Sequence, residues 1–214
     1  MSDSDRTLIS KREKTMFVSF LISSVAPLIT GITAIISRSA TQIADFLRRT
    51  AELTSLFISW WVYRRLHKVG EPEMGPDHPY RVRMEYIANM TVFGAMVCSG
   101  IAMLVVGIGR LFTYKVSGSV IMGLAVATLG LLVNAWFWWR YSFMIREEFD
   151  PVIAGQQKLY RAKVFVDTAV VIALASVAVA PNHPAIKYID ALGCITVSAY
   201  LLYNGLGIIR KKVA

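Results

Sequence analysis

Long runs of apolar residues constrain this chain more than any other feature of its sequence. The runs 16–36, 86–108 and 120–139 contain no charged residue, and the run 189–209 contains one, Asp190, near its edge. A helix needs about 20 mostly apolar residues to cross the hydrocarbon core of a bilayer. Lipid offers the backbone no hydrogen-bond partners, so a bundle of membrane-spanning α-helices is the expected arrangement.

The composition excludes the common soluble classes. Of the 214 residues, 55% are hydrophobic and 17% are charged, whereas globular chains average about 25% charged residues. The only two cysteines, Cys98 and Cys194, lie inside apolar runs and do not form a metal-binding motif. We also find no nucleophile elbow, phosphate-binding loop or paired histidines, so we expect neither an enzyme nor a nucleic-acid partner.

Two further apolar blocks contain charged residues. The block 164–180 carries Asp167, and the block 43–63 carries four charges, Asp45, Arg48, Arg49 and Glu52. Counting both blocks as spans predicts an all-α membrane protein with six transmembrane helices. The predicted division is a cytoplasmic tail over 1–15, a six-helix domain over 16–209 and a short cytoplasmic tail over 210–214, without a soluble C-terminal domain.

The placement of lysine and arginine predicts the orientation in the membrane. With six crossings, both termini and the loops after the second and fourth spans lie on one side. That side carries seventeen Lys and Arg residues, and the opposite loops carry four, Arg38, Arg110, Lys115 and Lys187. Because cytoplasmic loops carry the basic excess, the net charge of +9 indicates topology in a lipid bilayer. We expect a multi-pass protein of the cytoplasmic (inner) membrane with both termini inside.

The charged residues inside the spans are the candidate functional residues. A charge within the membrane costs at least about 2.5 kcal/mol and is a functional hypothesis by default. On a helix, Asp45, Arg48, Arg49 and Glu52 fall within an arc of about 100°. Lys163, at the predicted start of the fifth span, lies four residues before Asp167 and therefore on the same face. We expect the two polar faces to meet inside the bundle around a polar cavity.

A structural alternative is that these charges only hold the bundle together. The six charges sum to zero. The pairs Arg48–Glu52, Asp45–Arg49 and Lys163–Asp167 each have the i,i+4 spacing of salt bridges within a helix. In that case the residues are structural and nothing is transported.

Several ordered segments resemble the cation diffusion facilitator (cation efflux) family of divalent-metal transporters. The segment 39–45 is similar to the family's "S-x-A-x-x-A-D", and the segment 77–88 is similar to "HPYGHGRMEYIA" with one residue fewer and without its glycines. Span four has an internal Asn134, and the segment 188–191 resembles "W-x-D-P". The resemblance covers nearly the whole chain.

The resemblance implies a site, a coupling ion and an oligomer. Members exchange a divalent metal, most often zinc, for protons, and usually act as homodimers. Their metal is held by two side chains from span two and two from span five, built from His and Asp. The matching positions here are Arg48, Glu52, Lys163 and Asp167. Without a soluble tail, a homodimer is expected to form through the transmembrane helices.

The sequence departs from the family pattern at two of these positions. Arg48 has no lone pair to offer a metal, and Lys163 becomes a ligand only after losing its proton. A divalent cation about 4 Å from a guanidinium is repelled by several kcal/mol at an effective dielectric constant of 20. Tetrahedral zinc binding is therefore not expected. Asp45, Glu52 and Asp167 together supply oxygen ligands that suit a harder cation.

The sequence therefore predicts proton-coupled efflux of a cation between helices two and five. Asp45, Glu52 and Asp167 are the candidate ion-binding residues, and Glu52 and Asp167 are the candidate metal ligands. Arg48, Lys163 and Arg49 are charge-pairing residues. No permanently bound cofactor is expected, and a divalent cation is a candidate substrate. The alternatives are transport of an anionic or zwitterionic solute held by Arg48 and Lys163, and a non-transporting scaffold.

Overall fold

Six α-helices contain almost all of the residues that the structure describes. The computed structural model describes residues 3–37, 40–67, 75, 77–112, 120–179 and 186–210, with the side chains of some helical residues left out, among them Asp45 and Asp190. The helices are α1 (Asp3–Ser37), α2 (Ala40–Leu66), α3 (Pro79–Phe112), α4 (Val120–Glu147), α5 (Pro151–Val179) and α6 (Ile186–Arg210). The described part of the chain contains no strand, which confirms the predicted all-α class.

The surface of the bundle is apolar, as a membrane protein requires. Three helical segments are long and apolar enough to cross a bilayer, and α6 contributes a shorter apolar stretch: Arg6–Ile32, Pro79–Phe112, Pro151–Val179 and Ala191–Gly207. Large apolar side chains point outward on every helix, including Leu28, Phe57, Val105, Leu132, Ile172 and Leu206. An apolar surface of this extent is stable against lipid rather than water.

The helices extend beyond the apolar runs that predicted them. Helix α5 begins at Pro151, thirteen residues before the predicted span 164–180, so the predicted span is part of a longer helix. Lys163 lies well inside α5 and is buried, with 8% of its surface exposed. Helix α1 begins at Asp3, so residues of the predicted tail continue the first helix. The helical backbone hydrogen bonding therefore continues past the ends of the apolar runs.

A capping residue explains where α5 begins. Asp150 is buried, and its Oδ1 accepts hydrogen bonds from the backbone N–H of Val152 at 2.8 Å and of Ile153 at 3.0 Å. These are amide groups that have no partner within the helix. Pro151 occupies the first helical position, where its lack of an N–H and its restricted φ fit the helix. The Asp-Pro pair therefore positions the whole of α5, including Lys163.

The helices pack in sequence-adjacent pairs and across the bundle. Helix α3 packs along α6, α4 along α5, and α2 against both α1 and α3, while α2 also meets α5. Helices α3 and α6 approach closely at Gly107, where an added Cβ would lie 2.9 Å from Cβ of Cys194 and 3.2 Å from the Ala191 carbonyl oxygen. The Ser198 hydroxyl also donates to the Gly100 carbonyl at 2.7 Å. Small residues thus allow the two backbones to approach.

A buried arginine fastens α1 to the end of α4. Arg12 is 3% exposed, and its Nη2 donates to the carbonyl oxygens of Met144 and Glu148, both at 2.9 Å. Its Nη1 lies 3.3 Å from the Glu148 carboxylate. The Met144 carbonyl also accepts the backbone N–H of Glu148 at 3.2 Å, so Arg12 adds a side-chain donor from a neighbouring helix at the C-terminal end of α4.

Candidate functional site

The Glu52 carboxylate lies at the centre of a buried polar cluster formed by α2, α3 and α5. Its Oε1 accepts hydrogen bonds from Arg48 Nη1 at 3.2 Å and from Ser99 Oγ at 3.0 Å. Its Oε2 lies 3.4 Å from Lys163 Nζ. The side chains of Arg48, Glu52 and Lys163 are each only 9% exposed. One carboxylate therefore joins two cations and a hydroxyl from three helices.

The Lys163 ammonium has a second partner in an aromatic ring. Its Nζ lies 4.9 Å from the centroid of Tyr160, one turn away on α5. The Tyr160 hydroxyl in turn lies 3.2 Å from the Ser23 hydroxyl on α1. A cation–π contact in a desolvated place contributes up to about 2 kcal/mol. The Lys163 ammonium therefore contacts both a carboxylate and an aromatic ring.

Asp167 lies one turn further along α5 and is held from α4. Its Oδ2 accepts a hydrogen bond from Asn134 Nδ2 at 2.6 Å. Arg48, Glu52 and Lys163 are near enough to interact electrostatically with the Asp167 carboxylate. Gly130 on α4 leaves room beside it, since an added Cβ would lie 4.0 Å from Oδ2. These two acids and two cations therefore form one electrostatic group.

The structure brings together most of the residues that the sequence singled out. The Arg48–Glu52 pair within α2 forms, and the polar faces of α2 and α5 meet through Glu52 and Lys163. Lys163 extends to Glu52, and Asp167 receives its hydrogen bond from Asn134. Arg49 is half-buried and close enough to interact electrostatically with Glu52. Asp45 lies on α2, but its side chain is outside the described residues.

Two members of the cluster were missed from the sequence. Ser99 lies in the middle of the apolar run of α3, where a single hydroxyl is unremarkable. Tyr160 precedes the predicted fifth span and was not placed within a helix. Their only sequence signal is indirect, because the buried Glu52 and Lys163 require further partners from neighbouring helices.

The oxygen atoms of this cluster come from two carboxylates and a hydroxyl. Glu52 and Asp167 present carboxylate oxygens and Ser99 presents a hydroxyl oxygen, and oxygen is the ligand atom that hard cations such as Mg²⁺ and Ca²⁺ use. Among the described side chains, no group of three or more His, Cys, Asp and Glu residues is arranged to hold a metal ion. The charges of Glu52 and Asp167 together with those of Arg48 and Lys163 sum to zero.

The comparison with protein families agrees with this arrangement of helices. A family model described as the cation efflux transmembrane domain matches residues 16–214, which include all six helices except the first turns of α1. No curated protein matches the chain significantly. The resemblance in the ordered motifs of the sequence is thereby confirmed. The chain belongs to the cation efflux family of membrane proteins, whose members are transporters rather than enzymes.

Proposed function

We propose that this protein is a proton-coupled cation efflux transporter that binds its substrate between α2 and α5. Glu52 and Asp167 carry the exchangeable charge, with Asp45 supporting them. The observation that carries the proposal is the contact between Lys163 Nζ and Glu52 Oε2 at 3.4 Å. In this contact the Lys163 ammonium pairs with the Glu52 carboxylate, at a position where the resemblance implies that the family holds its substrate cation.

Substrate binding is then a competition for the carboxylates. An arriving cation replaces Lys163 at Glu52, and Lys163 keeps its contact with Tyr160. Protons compete with the substrate cation for Glu52 and Asp167. A protonated carboxyl is neutral and no longer attracts the substrate cation or the Lys163 ammonium. Arg48 and Lys163 keep the empty site close to neutral, which lowers the cost of two carboxylates inside the membrane. The substrate is a cation that prefers oxygen ligands.

The proposal also includes the membrane topology and the oligomeric state of the protein. The charge asymmetry of the loops supports a multi-pass arrangement in the cytoplasmic membrane with both termini inside. The exposed apolar faces of the helices support a homodimer formed within the membrane, where small residues permit close packing. Chemical crosslinking tests the dimer. The purified protein is crosslinked in lipid, and again after serial dilution in detergent, and we expect a crosslinked dimer in lipid that decreases with dilution.

Transport in proteoliposomes tests the function. The purified protein is reconstituted with a pH indicator inside, and gradients of Na⁺, K⁺, Mg²⁺, Ca²⁺, Mn²⁺ and Zn²⁺ are applied in turn. We expect at least one cation to drive proton movement, and Glu52→Gln and Asp167→Asn each to reduce it at least tenfold. Glu85→Gln is the matched control, because Glu85 also pairs with an arginine at i,i+4 spacing, at 2.9 Å, but lies near the start of α3.

Unaltered flux in both variants contradicts the proposal. The rival of an anion transporter is disfavoured because Arg48 and Lys163 both contact Glu52, so an anion would have to displace that carboxylate. The rival of a non-transporting scaffold is supported by one observation, the three partners of Glu52. In that case no cation shows saturable flux, and Arg48→Ala lowers stability strongly.

A further inference from the structure

A stripe of polar side chains follows α2 from the site to the end of the helix. Arg48, Glu52, Ser55, Ser59 and Tyr63 recur every three or four residues, so they fall within an arc of about 80°. Ser55 and Ser59 are fully buried, with 0% of their surfaces exposed, and Tyr63 is 1% exposed. The stripe faces the interior of the bundle, where polar side chains are costly unless they have partners.

A matching polar position on α5 faces this stripe. Gln156 is 0% exposed, and its Nε2 donates to Ser59 Oγ at 2.6 Å. Ser59 follows Glu52 by seven residues on α2, and Gln156 precedes Lys163 by seven residues on α5, as expected of two antiparallel helices. The contacts Glu52–Lys163 and Ser59–Gln156 therefore lie about 10 Å apart along the helix axes. This register places Ser55 in the interval between the two contacts.

Two buried polar atoms in this interval have no partner within the described protein. They are the hydroxyl oxygen of Ser55 and the amide oxygen Oε1 of Gln156. A helical serine commonly donates to the carbonyl four residues earlier, as Thr54 does to Thr50, but Ser55 does not. Unsatisfied buried groups of this kind are where globular proteins hold internal water, typically with about three hydrogen bonds each.

The stripe ends among charged groups at the end of α2. Tyr63 interacts electrostatically with Arg12, Asp150 and Glu148. His67 follows one turn later, stacks on Tyr63 with ring centroids 4.3 Å apart, and places Nε2 3.8 Å from the Asp150 carboxylate. The His67 side chain is 20% exposed, so the stripe reaches the surface there.

From this geometry we infer that Ser55, Ser59 and Gln156 hold a file of buried water connecting Glu52 with the His67 end of α2. The inference rests on the proposed function in one respect: this water is the route by which protons exchange between the site and the medium on that side. Each oxygen along the file accepts a proton from one neighbour and releases one to the next, so no atom is consumed. Arg48, Arg49, Lys163 and Ser99 surround the Glu52 end.

Hydrogen exchange of an introduced thiol tests for the water without requiring transport. In a background of Cys98→Ala and Cys194→Ala, Ser55→Cys places an S–H group in the interval. Its infrared S–H band is followed after transfer of the protein into D₂O. The control is Ala162→Cys, which is equally buried, at 2% exposed, and points about 120° away from Gln156 on α5. We expect exchange at Ser55→Cys to be at least tenfold faster, and equally slow exchange overturns the inference.

Coupled proton movement tests the route. Ser55→Ala removes one hydroxyl with little change in volume, and we expect at least a threefold reduction in cation-driven proton movement. Thr54→Ala, which removes the neighbouring exposed hydroxyl, is expected to leave it unchanged. Unaltered movement in Ser55→Ala overturns the route. If the unsubstituted protein moves no protons while the Ser55→Cys thiol exchanges quickly, the water file stands and the proposed transport function fails.

Discussion

Lys163 Nζ lies 3.4 Å from Glu52 Oε2 across the interface of α5 and α2. This contact forms an internal ion pair between two buried side chains of opposite charge, at positions that the resemblance to the cation efflux family predicts to be ligand positions. Arg48 on the same carboxylate adds a second positive charge. The Glu52 carboxylate is therefore paired with two positive charges of the protein itself.

Removing the lysine charge is expected to strengthen binding of divalent cations. Lys163→Met changes the charge of the four-residue group from zero to −1. A unit charge repels a divalent ion at 4 Å by about 8 kcal/mol at an effective dielectric constant of 20, and about 1.4 kcal/mol corresponds to a tenfold change in affinity. We expect at least a tenfold gain in Mn²⁺ affinity, measured by titration calorimetry of the purified protein.

The matched control for that substitution is Lys158→Met. Lys158 lies on the same helix and is also partly buried, but it is outside the cluster around Glu52. We expect its substitution to leave the affinity for Mn²⁺ within about twofold. An equal affinity in both variants would show that the lysine charge does not govern cation binding.

The hydrogen bond from Asn134 to Asp167 is expected to stabilise the contact of α4 with α5. Hydrogen bonds to charged groups contribute about 1.5–3 kcal/mol, so Asn134→Ala is expected to lower the free energy of unfolding in detergent by about 2 kcal/mol. If Asp167→Asn is introduced first, the further effect of Asn134→Ala is expected to shrink. A strictly additive double-mutant cycle would contradict this pairing.

The close approach of α3 and α6 predicts a steric effect at Gly107. An added Cβ would lie 2.9 Å from Cβ of Cys194 and 3.2 Å from a backbone oxygen, and neither atom moves easily. Gly107→Ala is therefore expected to lower stability by about 1–3 kcal/mol, as overpacking does in tightly packed cores. Gly94→Ala, on the same helix with nothing within 4 Å of the added Cβ, is the control and is expected to have no such cost. Equal melting temperatures for the two variants would be evidence against the helix packing.

The contacts of Arg12 predict that lysine does not replace it. Two carbonyls and a carboxylate are arranged around one guanidinium, and the single ammonium of lysine does not reproduce that geometry. Arg12→Lys and Arg12→Ala are both expected to lower the free energy of unfolding, by about 1–3 kcal/mol. The exposed Arg6 provides the control variant Arg6→Ala. Retention of full stability in Arg12→Lys would show that charge alone is sufficient there.

The fold class was accessible from the sequence because the bilayer imposes a simple rule. Every crossing needs about 20 apolar residues with internally satisfied backbones, and that requirement is visible in runs such as 86–108. Helix ends were less accessible. The start of α5 depends on the Asp150 side chain capping the backbone of Val152 and Ile153, a local contact that hydropathy does not record.

The charged residues that cluster between α2 and α5 could also be named from the sequence, whereas their pairing could not. Helical spacing alone assigned Arg48 and Glu52 to one face and allowed Lys163 to pair with Asp167. The tertiary structure instead directs Lys163 to Glu52 and Asp167 to Asn134. A one-dimensional pattern gives the direction of a side chain around its own helix. The partner depends on the rotation and register of the neighbouring helices, which are set by packing along their whole length.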